Sequence, residues 1–416
     1  MKELISLIVF ALMFSSFLYS QSSWEKKIVD STMNFSGVQF LNSQTGYICG
    51  NHVSANYNSC IYKTTNSGNN WIKVSQDGGI NYGIYFVDEY TGFASLYYSG
   101  FPGSGKLART SDGGSSWQAV HWITGGSHQN LYFYNNLNGY YTGYERIVKS
   151  VDGGFNWLDI SVPSTYVLKE LFVDVNKGYY LSWDNRVFRT TNGGYNWNQI
   201  YITNYILDDM VFTDSLNGYL SGILSSGSIL KSTNGGSIWN LVYSTNEEIT
   251  KLKFPTFYVG YALGDSSRVF RTSNAGYNWF TQNLDSAYRY NDLSFVNEYT
   301  GFVVGQRGIV MRTTNGGSTY INPISTETPS KYSLSQNYPN PFNPTTNIKF
   351  SIVNSGDVKL VVYDIQGREV QTLVNESLKP GTYEAAFDGS ALNSGVYFYK
   401  LITSTFSETK KMLLLK

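Results

Sequence analysis

The chain has 416 residues, with 30 Lys and Arg against 30 Asp and Glu, and only 14% of its residues are charged. This balance excludes a general electrostatic attraction to nucleic acid or to an anionic membrane surface. The 40 Gly, 35 Tyr, 24 Phe and 9 Trp exclude a disordered chain and favour β-structure, because aromatic rings pack on pleated sheets and glycine permits tight turns. The length predicts two or three domains.

Residues 1–20 have the pattern of a signal peptide. Lys2 supplies a charged start, the apolar segment Leu4–Leu18 follows, and small or polar residues lead to a cleavage position near Ser20–Gln21. The apolar segment is shorter than the about 20 residues that a membrane-spanning helix needs. We therefore expect export with cleavage and no transmembrane anchor.

The only two cysteines, Cys49 and Cys60, fall on what we expect to be neighbouring antiparallel strands. An exported protein meets an oxidising compartment, and cross-strand geometry can suit a disulfide. Two buried thiols are the alternative, and the sequence leaves both open.

A turn motif of the form Thr/Ser-x-Asp/Asn-x-Gly-x-x-Trp recurs seven times, with Tyr320 in place of the last tryptophan. The Asp or Asn side chain can accept hydrogen bonds from the turn, the glycine accepts a positive φ, and the tryptophan can pack between sheets. The turn residues are Asn66, Asp112, Asp152, Asn192, Asn234, Asn274 and Asn315, and the tryptophans are Trp71, Trp117, Trp157, Trp197, Trp239 and Trp279.

A second motif, Phe-x5-Gly-Tyr/Phe, also occurs seven times and alternates with the first. Repeats of about 40 residues with four short strands each are typical of a propeller blade. The pattern predicts a seven-bladed β-propeller over residues 22–322. Since the seventh repeat has little room for a fourth strand, we expect the N-terminal strand around Trp24 to complete the last blade.

These two motifs together resemble the Asp-box (BNR) repeats of the photosystem II assembly and stability factors, which are seven-bladed propellers. Five of the boxes carry Asn in place of Asp. The resemblance implies the fold and a structural role for the boxes at the blade periphery, and it indicates little about function.

After a polar linker at 323–331, residues 332–416 show alternating apolar and polar residues with turns at Gly367, Gly381 and Gly395. This pattern predicts a small β-sandwich of immunoglobulin-like type, so the chain as a whole is predicted to be all-β. Four segments resemble the type A sorting domain of type IX secretion: Asn337–Phe350, Val362–Val370, Gly395–Lys400 and Lys410–Lys416. The resemblance implies the type IX machinery as a partner and a secreted or cell-surface location.

The sequence assigns no catalytic residue, metal or cofactor. His52, His121 and His128 lack the spacing of metal ligands, and no nucleotide-binding loop or catalytic triad motif occurs. A group of acidic residues is expected in loops on one face, with no spacing that singles out a catalytic pair: Asp208, Asp209, Glu247, Glu248, Asp285 and Asp292.

A basic residue immediately precedes each box, and a position repeated in every blade favours a structural role on the third strand. These residues are Lys63, Arg109, Lys149, Arg189, Lys231, Arg271 and Arg312.

A second, irregular basic set lies near the loops between the second and third strands of the blades, on the face that also carries the blade-to-blade connections. Arginine can pair with carboxylates in a fork, and aromatic rings supply rigid contact area. The predicted binding residues are Lys106, Arg146, Arg186, Arg268, Arg307, Trp122, Trp183, Tyr205 and Tyr288. The sequence thus favours a secreted or cell-surface, non-catalytic propeller that binds protein or glycan on this face, with no nucleic-acid partner. The alternative is a secreted glycoside hydrolase of sialidase or xyloglucanase type.

Overall fold

The computed structural model describes residues 24–415 except 55–57, 99–103, 125–129, 224–225, 315, 318–320, 326 and 390–391. The predicted signal peptide, Asn315, Tyr320 and His128 lie outside the described residues. Within these ranges the regular structure consists of 34 strands and one short 3-10 helix, Gln306–Gly308. No helix in the described part is long and apolar enough to cross a membrane.

Seven antiparallel blades form the larger domain, and in blades 1, 2, 5 and 6 four strands follow one another in chain order. Blade 1 consists of β2 (Met33–Phe40), β3 (Gly46–His52), β4 (Ser59–Thr64) and β5 (Ile72–Asp77). Blade 2 consists of β6 (Ile80–Phe86), β7 (Gly92–Tyr98), β8 (Ser104–Thr110) and β9 (Gln118–Thr124).

Blades 3 and 4 are joined in one continuous sheet, because β10 (Leu131–Phe133) is followed by two long strands, β11 (Gly139–Ser150) and β12 (Leu158–Phe172). The first part of β12 pairs with β11 as the outer strand of blade 3. Its last part, Val167–Phe172, pairs with β13 as the inner strand of blade 4. Blade 4 continues with β13 (Gly178–Ser182), β14 (Arg186–Thr190) and β15 (Asn198–Ile202).

The remaining blades are regular. Blade 5 consists of β16 (Ile206–Phe212), β17 (Gly218–Ile223), β18 (Gly227–Ser232) and β19 (Asn240–Thr245). Blade 6 consists of β20 (Ile249–Lys253), β21 (Gly260–Gly264), β22 (Arg268–Thr272) and β23 (Phe280–Asn283). Blade 7 consists of β24 (Tyr290–Phe295), β25 (Gly301–Gly305), β26 (Ile309–Thr313) and the N-terminal β1 (Glu25–Ile28).

Closure of the ring by the N-terminal strand is confirmed. Strand β1 pairs antiparallel with β26, with Glu25 opposite Arg312 and Ile28 opposite Ile309. Strand β1 thereby covers the outer edge of β26, which is not available for pairing with another chain.

The Phe-x5-Gly-Tyr/Phe motif forms the contact between neighbouring blades. The aromatic residue at its end stacks on the motif phenylalanine of the next blade, as Tyr47 does on Phe86 at 3.4 Å between ring centroids. The same stacking joins blade 7 to blade 1, where Phe302 lies 3.5 Å from Phe40. The glycine of the motif lets the phenylalanine ring lie against the backbone, because a Cβ at Gly92 would lie 2.4 Å from the Phe86 ring.

The box tryptophan packs edge-on against the motif phenylalanine of its own blade, as Trp117 does against Phe86 at 6.0 Å. In blade 7 this position is taken by Trp24, which lies edge-on to Phe295 at 6.1 Å. The Trp24 side chain is buried, and its Nε1–H donates to Gln282 Oε1 at 3.1 Å. Trp24 therefore replaces the tryptophan that the seventh box lacks.

The boxes form self-contained hydrogen-bonded turns. In blade 2, Thr110 Oγ1 donates to Asp112 Oδ1 at 2.8 Å, and the N–H groups of Gly114 and Ser116 donate to Thr110 Oγ1 and Asp112 Oδ1. Hydrogen bonds from Ser116 lower the pKa of Asp112 to about 2. An amide oxygen serves equally well in the Asn boxes, where Asn70 N–H donates to Asn66 Oδ1.

The basic residue before a box binds the box of the next blade. Lys149 Nζ donates to the carbonyl of Gly193 at 2.7 Å and lies 5.0 Å from the centroid of the Tyr195 ring. Lys231 Nζ donates to the Ala275 carbonyl at 2.8 Å in the same way. These cations satisfy turn carbonyls, in agreement with the structural role expected from their repetition.

Of the two alternatives left open by the sequence, the structure shows the second: Cys49 and Cys60 are free, buried thiols. Cys49 lies opposite Ile61, and Cys60 lies opposite Gly50. This offset of one residue sends the two side chains to opposite faces of blade 1, because successive side chains of a strand alternate. Cys49 packs toward blade 2 and Cys60 toward blade 7, so a bridge would require a shift in strand register.

The C-terminal domain consists of two antiparallel sheets around one apolar core. The first contains β27 (Ile321–Ser325), β28 (Ser333–Leu334), β29 (Thr345–Ile352) and β32 (Gly381–Asp388). The second contains β30 (Gly356–Tyr363), β31 (Glu369–Leu378), β33 (Gly395–Ile402) and β34 (Ser407–Leu414). Phe350, Leu360 and Tyr399 belong to the shared core. The two-sheet arrangement is as expected, and its immunoglobulin-like type stays a prediction.

The predicted linker at 323–331 begins inside a strand. β27 is an edge strand that pairs with β32. Pro323 is tolerated there because an edge strand can leave one side of its backbone unpaired. The sandwich therefore starts earlier than the expected position 332.

Candidate functional site

The predicted binding residues lie on one face of the propeller, which we call the loop face. It carries the turns between the second and third strands of each blade, such as 183–185, and the connections to the next blade, such as 203–205. Lys106 lies opposite Trp122 in the strand register, and Arg186 lies opposite Ile202. The topology thus brings the predicted residues to the same end of their blades.

The basic surface expected there is largely neutralised. Lys106 Nζ lies 2.7 Å from Asp77 Oδ2, Arg146 Nη1 lies 3.1 Å from Asp159 Oδ2, and Arg268 Nη1 lies 3.0 Å from Glu247 Oε1. Arg186 is bound by Asp184 two residues earlier. A ligand carboxylate would therefore have to displace a protein carboxylate at these positions. The role of Lys106, Arg146, Arg186 and Arg268 as binding residues stays a prediction.

Arg307 is held differently. Its backbone adopts the left-handed conformation at φ 54°, and its N–H donates to Asn34 Oδ1 at 3.0 Å. Tyr288 lies beneath Lys26, whose Nζ is 4.4 Å from the ring centroid. Arg307 is thus held against blade 1, and Tyr288 contacts the N-terminal strand β1.

The tryptophans of the loop face are the exposed ones. Six of the nine tryptophans are box residues and Trp24 substitutes for the seventh. The two that remain, Trp122 and Trp183, are 58% and 68% exposed. Each has an aromatic neighbour on the same face, Tyr98 at 6.1 Å for Trp122 and Tyr166 at 5.8 Å for Trp183.

Four apolar side chains lie on the Trp183 turn and on the neighbouring strand ends and connection, and we call this set the aromatic patch: Trp183, Ile202, Tyr205 and Ile206. All four side chains are exposed. The Asn185 carbonyl accepts a hydrogen bond from Thr203 N–H at 3.3 Å, and Asn185 Oδ1 accepts one from Leu207 N–H at 3.0 Å. The turn with Trp183 and the connection with Tyr205 are therefore one rigid unit.

A second candidate site, the central channel, was not predicted. The inner strands enclose a cavity of about 360 Å³ at the propeller axis. Part of its lining is a ring of seven residues, one from each blade. Each stands three positions before the phenylalanine of the Phe-x5-Gly-Tyr/Phe motif: Gly37, Gly83, Asn130, Lys169, Asp209, Lys251 and Asp292. In six blades the inner strand has a β-bulge next to this position. Bulges commonly redirect side chains, here toward the axis.

The channel carboxylates hold neighbouring blades together. Asp209 Oδ2 accepts a hydrogen bond from Leu252 N–H at 2.8 Å, and Asp209 Oδ1 lies 3.6 Å from Lys169 Nζ. Asp292 Oδ2 accepts one from Val38 N–H at 3.0 Å across the closure of the ring. Burial alone would raise the pKa of Asp209, but Lys169, Lys251 and the Leu252 N–H hold it below its ordinary value.

The expectation that the acidic residues are solvated loop residues is wrong for several of them. Asp208 and Asp209 lie in β16 and Asp292 lies in β24. Glu247 is buried, where it accepts a hydrogen bond from Ser266 N–H at 2.8 Å and pairs with Arg268. Asp285 pairs with Lys26 at 2.7 Å. These contacts give the carboxylates structural roles.

Asp208 and Glu248 form a close carboxyl pair between blades 5 and 6. Burial first, and then the neighbouring Glu248, raise the pKa of Asp208 to about 7. Burial also raises the pKa of Glu170 to about 7, although Asn130 Nδ2 donates to its Oε2 at 2.8 Å. The carboxyl groups of Asp208 and Glu170 therefore take up protons near neutral pH.

The raised pKa values of Asp208 and Glu170 predict a loss of stability as the pH rises. A carboxyl whose pKa is raised on folding costs no stability at low pH, where it is protonated in both states, and its full penalty is reached above its folded pKa. We expect the free energy of unfolding to fall between pH 5 and pH 8 by on the order of 1 kcal/mol or more. Asp208→Asn should flatten this dependence, which urea titrations at several pH values would measure. Equal slopes for the variant and the wild type would contradict the assignment.

Two family models match parts of the chain. Residues 336–415 match the secretion system C-terminal sorting domain, and residues 241–334 match the photosynthesis system II assembly factor YCF48. Part of the propeller is thus similar to YCF48, and the C-terminal domain is similar to this sorting domain. The sorting domain indicates type IX secretion to the cell surface or the extracellular space, and therefore interaction with that machinery.

Solved structures resemble the propeller of this chain in fold. A YCF48 bound to a D1 peptide is 16% identical with a TM-score of 0.57, covering 70% of this chain and 97% of that one. YCF48 from Cyanidioschyzon merolae is 13% identical with a TM-score of 0.56, covering 70% and 98%. The WD40 propeller domain of Doa1 is 10% identical with a TM-score of 0.54, covering 69% and 97%. None of the curated proteins gives a significant match.

Proposed function

We propose that this protein is a secreted or cell-surface propeller that binds a partner protein on its loop face, without catalysing a reaction. The observation that carries the proposal is the aromatic patch. Soluble proteins rarely expose neighbouring large apolar side chains without a function, and interface hot spots are rich in tryptophan and tyrosine. A rigid patch also loses little entropy when a partner binds.

Two further features support a protein ligand. Ile202 and Ile206 extend the patch with aliphatic surface, which suits a protein partner better than a polyhydroxylated glycan. A structural neighbour of the propeller is a YCF48 bound to a peptide, so this fold is compatible with peptide recognition. The ion-paired Arg186 lies beside the patch and supplies a polar rim.

The experiment measures binding of the purified full chain to the outer-surface and secreted protein fractions of the producing cells. We expect saturable binding that the double variant Trp183→Ala/Tyr205→Ala weakens about 30-fold or more, as the loss of a hot spot would. The matched control is Tyr258→Ala, because Tyr258 is 62% exposed on the opposite face. Equal binding by both variants would contradict the proposal.

A glycan array and a panel of glycosidase substrates complete the test. Saturable glycan binding that depends on Trp183 would replace the protein ligand by a glycan. Hydrolysis of a glycoside substrate would favour the enzyme class, which requires two positioned carboxyl groups about 5 Å or more apart.

A further inference from the structure

The central channel contains a lysine that the architecture of the ring does not use. Lys253 is the last residue of β20 and the residue before the motif phenylalanine of blade 6. Its side chain lines the channel and is accessible to water within it. Among the described residues it has no hydrogen bond and no ion pair.

In four other blades, the residue at the same position makes a hydrogen bond to the neighbouring blade. Gln39 Nε2 donates to the Phe86 carbonyl at 2.9 Å, Tyr85 OH to the Phe133 carbonyl at 2.9 Å, and Tyr132 OH to the Phe172 carbonyl at 3.2 Å. In blade 7, Ser294 Oγ accepts a hydrogen bond from Phe40 N–H at 3.1 Å. Lys253 makes no such contact within the described part of the chain, so a structural role does not explain its amine.

The positive charge of Lys253 is also poorly balanced. Lys251 and Lys169 line the same channel, and Lys169 already lies against Asp209. The carboxylates of Asp209 and Asp292 are each occupied by a main-chain N–H of the next blade. Enclosure by the protein, followed by the charge of Lys169, lowers the pKa of Lys253 against the attraction of Asp292 and Asp209. An added negative charge would therefore be favourable at this point.

The size and lining of the channel define the kind of anion. A volume of about 360 Å³ lies in the range of small-molecule sites and is too small for a folded partner. Asn130, Ser36 and Ser294 add polar groups to the wall, which suits a hydroxylated ligand. We propose that the central channel binds a small hydroxylated carboxylate, such as a sugar acid, whose carboxylate pairs with Lys253.

This site is separate from the aromatic patch, so the two proposals can fail independently. The test is isothermal titration of the full chain with galacturonate and gluconate, with galactose as the neutral control and inorganic phosphate as the other anion. We expect millimolar or tighter binding of at least one carboxylate and at least tenfold weaker binding of galactose. Lys253→Met should weaken carboxylate binding at least tenfold, and Lys253→Arg should retain most of it.

The matched control is Lys349→Met, which removes an exposed lysine from the C-terminal sandwich and should leave binding unchanged. An unchanged melting temperature of Lys253→Met would show that the fold is intact, as expected for an amine without a structural contact. Absence of binding by both carboxylates, equal affinity for galactose, preference for phosphate, or undiminished binding by Lys253→Met would each overturn the proposal.

Discussion

Replacing Trp24 by alanine is expected to lower the free energy of unfolding of the propeller by about 3–5 kcal/mol, the usual cost of truncating a fully buried aromatic residue. Trp24 is 1% exposed, packs edge-on against Phe295 and donates a hydrogen bond to Gln282. It also precedes β1, the strand that closes the ring by pairing with β26. The substitution therefore removes a core contact and weakens the closure at the same point.

The measurement is urea unfolding followed by tryptophan fluorescence. All nine tryptophans lie between residues 24 and 279, so this signal reports on the propeller and not on the sorting domain. Trp183→Ala is the matched control, because it removes the same side chain from an exposed position and should change stability by less than about 0.5 kcal/mol. Similar unfolding midpoints for the two variants would contradict the role assigned to Trp24.

The fold could be predicted from the sequence because the contacts that build it are repeated in every blade. The stacking of Tyr47 on Phe86 recurs in equivalent pairs around the ring, and each pair needs the same residue types at the same spacing. The short seventh repeat and the strand-like segment around Trp24 predicted the closure for the same reason. What the repeat could not indicate was the register of blade 1, where an offset of one residue separates Cys49 from Cys60.

The candidate sites were harder to predict, because function lies where the repeats differ. The location of Trp183 on the loop face follows from the order of strands, but the pairing of Arg186 with Asp184 depends on side-chain geometry. The channel was not predicted because the residue type at its ring position differs between blades, for example Gly37 in one and Lys169 in another. A position without a repeated residue type gives no motif in the sequence. Comparing the residues three before each motif phenylalanine would have revealed this ring, since inner strands of a propeller line its axis.

The channel carboxylates lead to the second large effect. Asp209→Ala is expected to cost about 3 kcal/mol, because it leaves the Leu252 N–H without its acceptor and Lys169 without its counter-charge in an enclosed site. Breaking one partner of a buried ion pair costs more than removing both. The double variant Asp209→Ala/Lys169→Met should therefore recover part of the loss.

The matched control is Asp285→Ala, since Asp285 also pairs with a lysine, Lys26, but at the surface. Exposed ion pairs contribute about 0–1 kcal/mol, so this variant should remain close to the wild type in the same unfolding assay. If Asp209→Ala costs no more than Asp285→Ala, the channel carboxylates do not hold the blades together. The channel carboxylates would then be free to contact a ligand, as Lys253 is. A cost several times larger, partly recovered by Lys169→Met, would mean that Asp209 and Lys169 serve the ring, while Lys253 stays available for binding.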